Sequence, residues 1–166
     1  MHQDLLYTIA EVAVTLAGFS GVVFILGSRA QGKFSISEKN GLFHLLFTTC
    51  GNMLVVLIVA ACIEFSVEKL TAWRTGCALM ALFVVVGALK AISEERQGEH
   101  SLPKPLAWPI PVVALTLASA NLLIAAGVAV EHAPVACISL SIYLLFVAVC
   151  YFASLLVPVA EDRPSH

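Results

Sequence analysis

The stretch GLFHLLFTTCGNMLVVLIVAACI, Gly41 to Ile63, contains no Asp, Glu, Lys or Arg and a single histidine, His44. As an α-helix it is about 35 Å long at 1.5 Å per residue, enough to cross the roughly 30 Å hydrocarbon layer of a bilayer. A helix is required there, because no water is present in hydrocarbon to satisfy exposed N–H and C=O groups.

Four further runs have the same character, so spans are expected near Leu5–Ser28, Gly41–Ile63, Ala72–Ile92, Pro111–Val130 and Pro134–Val157. The chain as a whole is 60% hydrophobic and 12% charged, against about 25% charged in ordinary globular domains. The alternation of a transmembrane β-barrel is absent. The expected fold is therefore an all-α integral membrane protein, a bundle of five transmembrane helices forming one domain over 1–166. Its partners are then the lipid bilayer, further copies of itself and a membrane protein partner, with no nucleic acid. The net charge of −2 and the lack of a basic stripe argue against a nucleic-acid partner.

Short connections carry the punctuation. Ser35-Ile-Ser-Glu38 is a capping-box pattern before the second span. Gly98, after Ser93-Glu-Glu-Arg-Gln97, closes the third helix on the aqueous side. Pro103, Pro105, Pro109 and Pro111 make the approach to the fourth span stiff and non-helical, or at most a first helical turn. Met1-His-Gln-Asp4 has no basic residue, so the first span is not expected to be removed as a signal peptide.

With the N-terminus outside, Arg29, Lys33, Lys39, Lys90, Arg96, Lys104 and Arg163 lie inside, and only Lys69 and Arg74 lie outside. That bias predicts an N-out/C-in orientation, and with the domain-free organisation it points to a bacterial inner membrane. Tyr7 and Trp73 are expected at the outer interface and Trp108 at the inner one. Lys90 and Arg74, near span ends, read as anchors whose long stems snorkel.

The polar residues inside the spans are few. In the first span, Glu11, Thr15 and Gly18 follow i, i+4, i+7 spacing and share a face. Ala13, Ala17 and Gly21, with Ser20 beside them, form a small-residue ladder on a nearly opposite face, which favours close helix packing. Two contact faces predict that this helix lies in the middle of the bundle or at a subunit interface. Glu11 is read as the one acidic residue well inside a span, a costly position that marks ion and substrate pathways. In the second span His44, Thr48 and Asn52 form a stripe at i, i+4, i+8. Glu11 lies about 9 Å below the outer face and His44 about 5 Å from the inner one, so the two are not expected to touch. Asn121, Ser139 and Ser141 fall at Glu11's level, which predicts a Glu–Asn–Ser cluster in the outer half.

Gly18-Phe19-Ser20-Gly21 resembles the G-x-S-G of rhomboid-type intramembrane proteases, in which a histidine on another helix activates the serine. The resemblance covers four residues, and it lies in the first span where a rhomboid carries its serine late. Ser20 is accordingly read as part of the small-residue face, and no enzyme activity is expected. The five cysteines form no C-x-x-C pair and no zinc-finger spacing, so they read as small buried hydrophobes; no metal or cofactor is expected. Two functions fit: a homo-oligomeric channel or transporter for ions, protons or a small solute using Glu11 and the His44 stripe, or a non-catalytic membrane subunit that assembles with a larger partner.

Overall fold

A computed structural model of the chain describes residues 2–31, 36–65, 68–98, 102 and 104–156. These are helical almost throughout: α1 His2–Gln31, α2 Ile36–Glu64, α3 Lys69–Arg96, a single turn α4 Lys104–Ala107, α5 Pro109–Ala125 and α6 Ala133–Leu156, with a 3₁₀ turn at Val130–His132 before α6. Among the described residues, five helices are long and apolar enough to cross a membrane. Their ends lie within five residues of the sequence expectation: α2 begins at Ile36, α3 runs on to Arg96, and α5 stops at Ala125 where the span was expected to reach Val130. The capping-box pattern at Ser35–Glu38 lies outside the described residues and side chains.

The helix ends follow local chemistry. At the end of α3, Gln97 N–H bonds back to the Ser93 and Glu94 carbonyls, and Gly98 turns the chain at φ +78°, a conformation open to glycine because it has no Cβ. Pro109 opens α5, where its missing N–H would have had no helical partner. The end of α5 is held from outside: Arg74 donates from Nε and Nη2 to Ala125 O at 3.2 and 2.9 Å. A guanidinium there complements the partial negative charge of a helix C-terminus, so Arg74 is a helix-capping group rather than a free anchor.

α2, α3 and α6 make the centre. α1 packs on α2 and, more lightly, on α6, while α5 packs on α3 and α6. Leu6, Val56, Val59, Cys77, Met80 and Leu140 are essentially inaccessible at the heart of this packing. The outer surface is apolar all round: Phe19, Leu54, Leu82, Leu123, Ile142 and Phe146 are all more than half exposed. In water such a surface would be an aggregation liability. Tyr7 and Trp108 stand exposed at the ends of the bundle, but Trp73 is 6% exposed and belongs to the core. The cysteines divide likewise: Cys77 and Cys137 are buried, whereas Cys50 is exposed on the outer surface.

Candidate functional site

The polar stripe of α2 faces inward. His44, Thr48 and Asn52 are 3%, 8% and 0% exposed. Their spacing keeps them on one side of the helix, turned toward α3 and α6. Thr48 satisfies its own hydroxyl on the His44 and Leu45 carbonyls at 2.8 and 3.0 Å. Asn52 reaches across instead, donating from Nδ2 to Ser141 O of α6 at 3.2 Å.

His44 has a partner that the sequence reading did not supply. Its Nε2 lies 2.7 Å from Oε2 of Glu94 on α3, and the other carboxylate oxygen, Oε1, is 2.8 Å from Lys90 Nζ. A carboxylate only accepts hydrogen bonds, so Nε2 carries the hydrogen. One carboxylate is thus stretched between an imidazole and an ammonium. With His44 neutral the cluster has no net charge, which makes its removal from water tolerable, since buried charges survive when paired and hydrogen-bonded.

Packing holds the cluster in place. The His44 ring stacks on Tyr151 of α6, with centroids 5.1 Å apart and planes 11° from parallel. Lys90 Nζ sits 3.6 Å above the Phe43 ring, a cation–π contact, while its side chain remains 43% exposed. Lys90 is therefore an ion-pair partner as well as a residue near a span end. Beside the cluster, α2, α3, α5 and α6 part to leave a cleft of about 40 Å³, walled by His44, Phe47, Thr48, Gly87, Ile110 and Tyr151 among others. Tyr143 pins the far wall by donating its hydroxyl to Ile110 O at 2.6 Å. The walls are mostly apolar and the polar groups converge at one side, as in small-molecule and ion sites generally.

The remaining expected residues are scattered. Glu11, Thr15 and Gly18 do share a face, but it is the exposed face of α1; Thr15 spends its hydroxyl on Glu11 O at 2.8 Å. On the other face Ala13 and Ser20 are buried, Ala17 and Gly21 partly so. α1 is a flanking helix, not a central one: among the described residues it packs chiefly on α2 and α6. The Glu–Asn–Ser cluster does not form: Asn121 is sealed between α5 and α6, donating to Leu117 O and Ala136 O. Ser141 is buried against α2 and Ser139 is exposed. Ser20 donates to Ala17 O at 2.7 Å and His44 is committed to Glu94, so the two are not paired as a nucleophile and base. Among the described residues no group of three His, Cys, Asp or Glu side chains is placed to hold a metal ion.

Glu94 escaped the sequence reading because hydropathy falls away at Ile92, which set Ser93–Gln97 on the aqueous side, between the end of the span and the helix end at Gly98. The signal was present in Lys90-x-x-x-Glu94, an i, i+4 pair on a helix that Gly98 ends. Compared with family models, curated proteins and solved structures, the chain matches none of them. The functional reading therefore rests on the geometry of the site.

Proposed function

We propose that this chain is a non-enzymatic integral membrane protein that assembles with copies of itself and lets protons, ions or a small solute cross the bilayer. The observation that carries the reading is the Lys90–Glu94–His44 chain at the side of a cleft, within two candidate spans. Ionisable groups at such positions are expensive and concentrate along ion and proton paths. Length, apolarity and the apolar outer surface of five helices support insertion. The distribution of Lys and Arg supports N-out/C-in, which sets the cluster on the inner side, and a bacterial inner membrane is the proposed setting. Reporter fusions are expected to place the Arg29–Asn40 segment, where α1 gives way to α2, inside; an outside signal would overturn the orientation.

Glu11 supports the oligomeric part. With Thr15, Gly18 and Phe19 it lies on a face of α1 that α2 and α6 leave open, and a carboxyl at membrane depth calls for protein or water against it. A second copy of the chain is the proposed cover. The same open face favours a second reading, a non-catalytic membrane subunit covered by a larger partner.

The native mass of the complex released in a mild detergent separates the two readings. Transport at a subunit interface predicts a homo-oligomer, and a complex containing a different protein favours the accessory subunit. In liposomes, Glu11→Gln is expected to change the rate at which an imposed gradient decays. If only assembly or abundance changes, the accessory subunit is the better account.

A further inference from the structure

Among the described residues three buried side-chain polar atoms have no hydrogen-bond partner, Asn121 Oδ1, Asn52 Oδ1 and Ser141 Oγ, and the last two lie together above the cleft. They belong to one contact, since Asn52 Nδ2 donates to the carbonyl of Ser141 itself. Turning the Asn52 amide over would set oxygen against oxygen and leave the NH₂ as the unpaired group. Ser141 is also unlike most hydroxyls of these helices. Thr48, Thr49, Thr116, Ser119 and Ser154 each close a bond onto a carbonyl three or four residues back, the ordinary outlet for Ser and Thr in a helix. Ser141 Oγ does not use that outlet.

An unpaired polar group in a membrane interior costs free energy, and buried water is the usual remedy. The site lies close to a supply of it. The cleft reaches Thr48 on α2 and Leu144 on α6, four residues before Asn52 on one helix and three residues after Ser141 on the other. That is about 6 Å along α2 and about 4.5 Å along α6, on the order of two water diameters. The cleft's volume of about 40 Å³ exceeds the roughly 10–15 Å³ that one water requires.

We propose that Asn52 and Ser141 form a water-binding site at the closed end of a hydrated column that begins at Glu94 and His44, and that the species the column carries is the proton. A water between them donates to Asn52 Oδ1 and accepts from, or donates to, Ser141 Oγ. Below it, water in the cleft meets His44, which is bonded to Glu94. A proton moves along such a column by exchange, each O–H or N–H bond that breaks being matched by one that forms. No larger solute is required, and the mostly apolar walls offer few groups to bind one. The choice of the proton rests on the transport reading above, whereas the water site does not.

Water-edited solid-state NMR of the full chain in lipid bilayers tests it, with bulk water as the probe. Magnetisation from water is expected to reach the Asn52 side-chain amide nearly as fast as Thr48, and several-fold faster than Val56 or Leu140. Ser141→Ala is expected to slow transfer to Asn52 while leaving Thr48 unchanged, a readout that a general loss of packing would not give. An Asn52 as slow as Val56 in the unmodified protein overturns the site. A wet Asn52 in a protein that dissipates no proton gradient overturns the transport reading and the assignment of the proton, and leaves the water site standing.

Discussion

Gly76→Ala is expected to destabilise the bundle by about 1–3 kcal/mol, the usual cost of overpacking, and Gly76→Val by more. At Gly76 α3 lies close against both of its central neighbours. A Cβ there would stand 2.5 Å from Val59 Cγ2 on α2 and 3.4 Å from Cys137 Sγ on α6. Neither neighbour can retreat, since Val59 is 1% and Cys137 0% exposed. The collision therefore moves helices rather than side-chain tips. Thermal unfolding in detergent measures the loss. The mechanism has a second signature: in a Gly76→Ala background, Val59→Ala should restore part of the stability, although alone it opens a void. Such non-additivity is diagnostic of direct contact. Gly76→Ala with wild-type stability, or no coupling to Val59, would contradict a direct contact between α3 and Val59 at this position.

The second large effect separates stability from activity at the buried ion pair. Glu94→Ala leaves the His44 Nε2–H without its acceptor in a site that is 3% exposed. An orphaned buried donor costs about 1–3 kcal/mol. Lys90 suffers less, because its half-exposed stem can carry the ammonium toward solvent. Glu94→Gln behaves differently. The amide oxygen still accepts from His44 and the shape is kept, so the fold should survive with a small loss. The negative charge is gone, however, and with it the capacity to hold or pass a proton between His44 and Lys90. We expect Glu94→Ala to lower the unfolding temperature clearly, Glu94→Gln to lower it little, and both to abolish most of the flux. Equal stability losses for the two variants would contradict the hydrogen-bonding scheme.

Much of the fold was readable from one property. Five long apolar runs with at most two charged residues each favour helix, the structure that satisfies its own backbone in hydrocarbon, and Gly98 marks the end of α3 because few other residues adopt its φ of +78° comfortably. Periodicity also grouped His44, Thr48 and Asn52 correctly on one face, and that face proved to be buried. Periodicity says which residues share a side, though, and not which side a neighbour covers. Glu11 and Thr15 were grouped by the same rule, and among the described residues they lie on the exposed side of α1, away from α2 and α6.

The pairing of His44 with Glu94 spans fifty positions and follows from how α2 and α3 meet, which no local pattern encodes. Trp73 teaches the converse. An indole near a span end is expected at the interface, yet Ala72, Gly76 and Cys77 give α3 a small-residue side that brings Trp73 into the core.

The most direct test of the account is the decay of an imposed pH gradient in liposomes holding the purified protein or its Glu94→Gln variant. The account predicts that the unmodified protein speeds the decay over empty liposomes. It predicts that Glu94→Gln, folded and assembled to the same native mass, loses at least about tenfold of that rate, equivalent to about 1.4 kcal/mol in the barrier. Equal rates for the two proteins, or no decay above empty liposomes with either, would contradict it and return the chain to the role of a membrane subunit for another protein.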